Sequence, residues 1–204
     1  MPEREPILVL ATHNEGKKRE LKRMLEGSPI AILSLSDLGT IEDVEETGST
    51  FDENARLKAR SYSSLTGHMV LADDSGLEIE ALASRPGVLS ARYAGRSTSF
   101  ARKMELLLAE LKTVGDDDRR ARFVCSMAVA DPAGNIVCSS TGICEGTIAH
   151  EPRGERGFGY DPIFVPKGYD MSFGELSDNV KQEISHRSMA FKQIIPFLRD
   201  NNAV

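Results

Sequence analysis

LADDSGL, residues 71–77, places two adjacent carboxylates, Asp73 and Asp74, directly after an apolar run from Met69 to Ala72 and directly before Ser75-Gly76. The apolar run reads as a buried strand, and strand ends are where open α/β sheets carry their chemistry. Paired carboxylates at such a place suit a hard cation such as Mg²⁺, which takes oxygen ligands and keeps several of its waters. Asp, Ser and Gly are also ordinary turn residues. On these residues alone a solvated turn is the simpler reading, and the choice is made by what the rest of the chain supplies.

Upstream, Ile7 to Ala11 is a buried-type strand followed by Thr12-His13-Asn14-Glu15-Gly16 and a helix to about Gly27, with Leu21, Met24 and Leu25 on one face. Ala31 to Leu35 reads as a second strand and the acidic stretch Ile41 to Gly48 as a loop. Thr50 and Glu53 have capping-box spacing, which predicts a helix from Phe51 to near Gly67. Downstream, Leu77 to Leu82 fits strand or helix, Arg85 to Gly95 is loop-like, and Thr98 to Val114 is an amphipathic helix carrying Met104, Leu107, Leu108 and Leu111. After a charged loop, Asp116 to Arg120, the run Phe123 to Ala130 and its partner Ile136 to Ser140 form a hairpin around Asp131-Pro132-Ala133-Gly134-Asn135. Ile143 to Ala149 is expected as a third strand, Glu151 to Gly159 as a polar loop, and Ile163 to Val165 as a short strand. From Ser172 onward the chain is mostly helical, ending in a core-packed helix from Met189 to Leu198. This order is mixed α/β with an antiparallel portion in the second half.

With 204 residues, 40% hydrophobic and 27% charged, the chain is long enough for a sizeable core and reads as one domain, 1–204, with two lobes. A formal net charge of −6 argues against a sequence-independent nucleic-acid binder, which carries a basic field. Cys125, Cys138 and Cys144 are odd in number, lack CxxC spacing and lie in apolar segments, so buried free thiols in a reducing, cytoplasmic compartment are expected. The start, MPEREPILVLATHNEG, has too short an apolar run for a signal peptide or membrane span.

Five other segments bear on the aspartates. THNEGK lies at a strand-to-helix junction, where backbone N–H groups and the helix dipole favour phosphate, with Thr12 and Asn14 as hydrogen-bonding groups and Lys17 as a point charge. It is neither GxGxxG nor a Walker A loop, and on this motif alone an N-capping Asn14 followed by surface lysines is the simpler reading. FDENARLKARS sets Asn54 and Lys58 on one helix face, Lys58 reading either as a snorkelling surface residue or as a phosphate ligand. Glu45 and Glu46 offer carboxylates from the preceding loop, Glu45 the more readily as an exposed residue. In GFGYDP, residues 157–162, two glycines around Phe158 permit unusual backbone angles, and the aromatic either stacks on a base or fills the core. ISHRS, residues 184–188, joins His186 to Arg187 ahead of the last helix, with Lys181 just upstream. His13, His68 and His150 lack metal-ligand spacing. No Ser-His-Asp or Cys-His order suggests a nucleophile, and metal-activated water fits the carboxylates better.

Taken in order, LATHNEGKKREL, ETGSTFDENARLKA, LADDSGLEIEAL, PGVLSARYAG, GFGYDPIF and ELSDNVKQEISHRSMAF resemble the inosine/xanthosine triphosphate pyrophosphatase family, and the resemblance covers nearly the whole chain. It implies an elongated mixed β-sheet flanked by helices, in two lobes with an active-site cleft between them, and a Mg²⁺-dependent homodimer. It implies phosphate binding by Thr12, Asn14 and Lys17, with His13, Glu15 and Gly16 in the same loop. It further implies a triphosphate contact at Lys58, metal binding by Glu46 and Asp74, and Asp74 as proton acceptor. Ser75 is implied as a substrate contact, Phe158, Gly159, Tyr160 and Asp161 as the base-holding segment, and Lys181, His186 and Arg187 as the remaining contacts. His13 stands where Gly or Asn is common. Asp73 is also acidic, so either aspartate remains open as the base and Asp73 as a further metal ligand.

The expected reaction is cleavage of ITP, dITP or XTP between the α- and β-phosphates, with Lys17, Lys58 and Lys181 offsetting the polyphosphate charge. Arg187, or amides near it, is expected to donate to the 6-oxo group of hypoxanthine or xanthine, where adenine would present a donor to a donor. Two other readings remain: a Maf-type pyrophosphatase of different base specificity, whose N-terminal motif ends in arginine where this chain has Lys17, and a non-catalytic nucleotide sensor. The partner expected is a purine nucleoside triphosphate, with neither nucleic acid nor membrane.

Overall fold

The computed structural model describes residues 7–27, 31–39, 41–115 and 118–200. Part of the N-terminal reading (Met1 to Pro6) and Asp116-Asp117 of the charged loop lie outside them. The sheet follows the order β2 (Ala31–Ser34), β1 (Ile7–Leu10), β3 (Met69–Ile79), β5 (Arg120–Ala130), β6 (Ile136–Ile148), β7 (Phe164–Pro166), with the two-residue β4 (Arg85–Pro86) paired to β3. β1 pairs in parallel with β2 and with β3, while β4 pairs antiparallel with β3 and β7 with β6, so the sheet is mixed and the fold is α/β.

The chain divides into two compact units: residues 1–74, 125–142 and 187–204 in one, and residues 75–124 and 143–186 in the other. The first is a three-layer sandwich whose logic follows from strand alternation. On one face of its sheet, Leu8, Leu10, Leu71, Cys125, Met127 and Val129 pack against Leu21 and Leu25 of α1 (Glu15–Met24) and its following turn. Ala190, Phe191, Ile194 and Leu198 of α5 (His186–Asp200) complete that cluster. On the other face, Val9, Ala11, Val70, Ala72, Ala128 and Ala130 meet Ala55, Ala59 and Tyr62 of α2 (Phe51–Thr66). Small residues on both sides of this second interface let α2 lie close to the strands.

The second unit has its own core, in which Leu77, Ile79, Phe123, Cys144 and Ile148 meet Met104, Leu107, Leu108 and Leu111 of α3 (Phe100–Val114). Phe164, Phe173 and Ile163 fill the remainder. The i, i+3, i+4, i+7 stripe predicted for α3 is the face it buries. α4 (Asp178–Ile184) is short and N-capped by Ser177, whose hydroxyl accepts from the Val180 N–H.

Three expectations need correction. β3 does not end before the aspartates but runs through them to Ile79, because alternate side chains find partners on both faces. The expected third strand at Ile143 is the second half of a continuous β6, since Thr141-Gly142 continues the strand and makes no turn. The stretch from Ser172 to Leu176 is not helical and turns on backbone contacts from Glu175 and Leu176 to the Ser172 carbonyl, so helix begins only at Asp178. The capping box at α2 is also shifted. Thr50 accepts from the Glu53 N–H at 3.1 Å, but the Glu53 carboxylate returns to the Ser49 N–H at 2.7 Å. All three cysteines are free, with Cys125 and Cys144 buried and Cys138 half-buried.

Candidate active site

In the first unit the pairing of β1 with β3 stops at Leu71, so Asp73 and Asp74 stand just past the carboxyl end of the neighbouring parallel strand. The expected link between chemistry and a strand end therefore holds for β1, not for the strand that carries the aspartates. At that end Asn14 caps α1: its Oδ1 accepts the Lys17 N–H at 3.1 Å, and its own N–H donates to Thr12 Oγ1 at 3.2 Å. Lys17 leaves the first turn with Nζ 3.0 Å from Asp73 Oδ2. Gly16 is buried, Glu15 pairs outward with Lys18, and His13 lies exposed beside Asp43 at 3.2 Å.

Asp73 and Asp74 are both buried, at 1% and 6% exposure, and neighbour parity sends them to different faces. Asp73 joins the α1/α5 face. Its Oδ2 takes Lys17 and the Arg187 guanidinium, whose Nη2 and Nε lie 3.3 and 3.4 Å away, while Arg187 Nη1 holds Glu20 of α1 at 2.5 Å. Burial alone would raise the Asp73 pKa, but Lys17, Arg187 and Lys58 outweigh it and hold this carboxyl well below the usual carboxylate range.

Asp74 joins the α2 face. Asn54 Nδ2 donates to its Oδ2 at 3.1 Å, and Lys58 Nζ lies 3.5 Å from its Oδ1. The same ammonium is 2.6 Å from Glu46 Oε1, on the loop that precedes α2. Here burial prevails over the attraction of Lys58 and Lys17, and the Asp74 pKa is raised. The two aspartates thus differ in basicity in opposite directions. Lys58 remains an ammonium: burial opposes its charge, but Asp74, Asp73 and Glu46 more than compensate.

No group of three or more His, Cys, Asp and Glu side chains is arranged to hold a metal among the described residues. Mg²⁺ does not require one, because it is commonly held by one or two carboxylates with water and substrate phosphates completing its shell. Glu46 and Asp74, sharing one cation already, are a donor pair of that kind.

In the second unit, Asp161 organises the GFGYDP segment. Its Oδ2 accepts the Phe158 N–H at 2.7 Å and the Lys181 ammonium at 2.5 Å. Lys181 Nζ also lies 4.7 Å from the centre of the Phe158 ring, a cation–π distance. Gly157 has φ +73°, and a Cβ there would fall 2.0 Å from Asp161 Oδ2, so the carboxylate occupies the space a side chain would need. Tyr160 is buried: its hydroxyl donates to the Ser90 carbonyl at 3.0 Å and its ring meets Phe100 edge-on at 5.3 Å. Gly159 has φ +67°, Ser75 is half-buried on β3, and the His186 ring stacks on Phe123 at 4.7 Å.

The structure thus brings Lys17 to Asp73 and Arg187, and Lys58 to Glu46 and Asp74, within the first unit; Phe158, Asp161 and Lys181 meet within the second. It places the Lys181 charge on Asp161 and the Arg187 guanidinium on Glu20 and Asp73, pairings the sequence reading did not foresee. Glu20 was missed as a member of the cluster; the available signal was helical spacing, three residues after Lys17, the same kind of spacing that set Asn54 on the Lys58 face.

Buried carboxylates matched to lysine and arginine thus stand at the end of a parallel strand of an α/β protein, beside a helix N-terminus, a kind of place that suits phosphate groups. The chain matches the Ham1 family model over residues 8–197 and belongs to that family. It is 47% identical over 192 residues to a dITP/XTP pyrophosphatase of Oceanobacillus iheyensis, covering 94% of this chain and 97% of the relative. Against the dITP/XTP pyrophosphatase of Bacillus subtilis the identity is again 47%, over 93% of this chain and 96% of the relative. Among solved structures, a HAM1 protein from Coxiella burnetii superposes with a TM-score of 0.87 at 41% identity, covering 96% of this chain and 99% of that one.

Proposed function

We propose that this chain hydrolyses non-canonical purine nucleoside triphosphates (ITP, dITP and XTP) to the nucleoside monophosphate and pyrophosphate, and so clears them from the nucleotide pool. Family membership and the names of the relatives support the reaction class. The observation that carries the residue assignment is the Lys58 ammonium shared by Glu46 and Asp74, with Asp73 held apart by Lys17 and Arg187.

Charge supports a cation requirement. Glu20, Glu46, Asp73 and Asp74 face Lys17, Lys58 and Arg187, so the cluster carries more carboxylates than cations before any triphosphate arrives. Mg²⁺ held by Glu46 and Asp74 would neutralise charge on the phosphates and on the leaving pyrophosphate. Asp74 accepts the proton of the attacking water, since its raised basicity suits a general base and the depressed basicity of Asp73 does not. Thr12, Asn14 and Lys17 at the start of α1 bind phosphate oxygens, and Lys58 supports the triphosphate.

Base recognition falls to the second unit. Phe158 offers a stacking face, while Lys181 and Asp161 offer a donor and an acceptor. Hypoxanthine and xanthine present a 6-oxo acceptor beside an N1–H donor. Adenine presents an amino donor and no N1–H, so the same pair leaves it mismatched. Ser75, His186 and the backbone near Arg187 complete the contacts. The chain is read as a single catalytic domain that acts as a cytoplasmic homodimer. No helix among the described residues is long and apolar enough to cross a membrane.

The test is pyrophosphate release from ITP, dITP, XTP, GTP, ATP and pyrimidine triphosphates, with and without Mg²⁺. Turnover of ITP, dITP and XTP in the presence of Mg²⁺ is expected, with GTP, ATP and the pyrimidine triphosphates turned over far more slowly. Equal turnover of ATP, or none with any nucleotide, overturns the assignment.

A further inference from the structure

Asn54 sits in the first turn of α2 with its side chain fully buried. A buried amide needs partners for both its ends. Its Oδ1 accepts the Gly48 N–H at 2.8 Å, and its Nδ2 donates to Asp74 Oδ2 at 3.1 Å. The partners fix which end is which, because a backbone N–H only donates and a carboxylate only accepts.

The amide therefore spans two pieces of chain, the loop that carries Glu46 and the strand that carries Asp74. Gly48 makes the span short enough: a Cβ at that position would come within 2.7 Å of both Asn54 Oδ1 and Glu53 Cβ. The loop has a second anchor at Val44, whose N–H donates to the Tyr62 hydroxyl at 3.1 Å. Lys58, one turn further along α2, addresses Asp74 through its other oxygen, Oδ1, and takes Glu46 with the same ammonium. One face of one helix thus holds both oxygens of Asp74 and both ends of the Glu46–Asp74 spacing.

We propose that Asn54 is a positioning residue for hydrolysis: its amide fixes the orientation of Asp74 and the distance of the Glu46 loop from it. The proposal rests on the reading of Asp74 as the water-activating carboxylate and of Glu46 with Asp74 as the cation-holding pair.

Asn54→Asp separates the two contacts, because it keeps an acceptor for the Gly48 N–H and replaces the donor to Asp74 by an acceptor. Asn54→Ala removes both. Gly48→Ala leaves Asn54 intact and pushes the loop from it. For each variant, kcat and KM with ITP, the Mg²⁺ concentration at half-maximal rate, and the thermal midpoint are measured beside Asp74→Asn. Expected are a fall in kcat of about 10–100-fold for Asn54→Asp, the usual effect of losing a group that orients a metal-site carboxylate, with KM little changed and half-saturation shifted to higher Mg²⁺. Gly48→Ala is expected to move kcat and the Mg²⁺ dependence in the same sense. A folded Asn54→Asp enzyme with wild-type kcat and Mg²⁺ dependence overturns the proposal. Should both Asn54 variants fail to fold, a folded Gly48→Ala enzyme with wild-type kcat overturns it equally. Wild-type turnover by Asp74→Asn overturns the underlying reading and this proposal with it; an inactive Asp74→Asn beside a fully active Asn54→Asp overturns this proposal alone.

Discussion

Replacing Asp73 by Asn separates stability from chemistry. Asp73 Oδ2 is 3.0 Å from Lys17 Nζ and 3.3 Å from Arg187 Nη2, and the Arg187 side chain is 1% exposed. Removing one partner from a buried ion pair costs about 3–5 kcal/mol, because it leaves charge uncompensated in a medium that solvates it poorly. Two features place this case at the lower end: Glu20 remains 2.5 Å from Arg187, and the Lys17 side chain retains 15% exposure. A loss of about 3 kcal/mol in a chain of this size corresponds to a fall in thermal midpoint of roughly 6–12 °C. The pH dependence has a definite sign. The folded pKa of Asp73 lies below its ordinary value of 3.8, so its contribution is complete above that pH and is lost as pH falls from there towards the folded value. The gap between wild type and Asp73→Asn in calorimetric or circular-dichroism melts should therefore stay constant from neutral pH down to about 5 and close only in stronger acid. Asp74 is intact in this variant, so the folded enzyme should keep far more turnover than Asp74→Asn. An unchanged midpoint together with a kcat loss as large as that of Asp74→Asn would refute the division of labour.

Asp74→Asn should lower kcat by about 10²–10⁴-fold, the range for loss of a general base, without lowering the thermal midpoint, since burial already opposes the charge of Asp74. In the wild type, kcat/KM for ITP should fall in acid as the carboxylate that takes the proton becomes protonated, and an acid limb that persists unchanged in Asp74→Asn contradicts the assignment. Lys181→Met leaves Asp161 buried without its ammonium and should cut kcat/KM for ITP by about 10–100-fold, in line with losing a hydrogen bond to a charged group, with a smaller loss for ATP; equal losses would remove Lys181 from base selection. Gly157→Ala forces a Cβ to within 2.0 Å of Asp161 Oδ2 at a φ of +73°. The backbone conformation alone costs about 1–2 kcal/mol, so a lower midpoint and a raised KM for ITP are expected, and wild-type kinetics would show that the Asp161 position is immaterial.

The elements that announced themselves in the sequence are those whose periodicity reports burial directly. α3 shows its Met104-Leu107-Leu108-Leu111 stripe, and β1 shows its apolar run. β3 was harder, because a charge normally marks the end of a strand. Asp73 and Asp74 stay within one only because Lys17 and Arg187 on one side, and Asn54 and Lys58 on the other, satisfy them at long range. Likewise Arg187 and Lys181 read as cations available for substrate, whereas Glu20 lies 167 residues from Arg187 in the chain and Asp161 lies 20 from Lys181. Local spacing reveals neither pair. Asn54 was visible as a residue sharing a face with Lys58, but its link to Gly48 requires knowing that the loop folds back over the first turn of α2.

The alternation of β3 has a consequence for how this site tolerates change. Adjacent positions in a strand differ only in parity, so the carboxylate held by Lys17 and Arg187 and the carboxylate held by Asn54 and Lys58 are chemically the same amino acid, told apart by being odd or even in the register. A single-residue insertion or deletion between Met69 and Asp73 would not merely displace the pair. A deletion would carry Asp74 into the cationic surroundings made by Lys17 and Arg187, which depress the basicity of a carboxyl, and would leave its present place to Ser75. Sequence drift at either aspartate is therefore constrained twice, by identity and by count, and length changes in this chain have to fall outside β3, in segments where no such bookkeeping of faces applies.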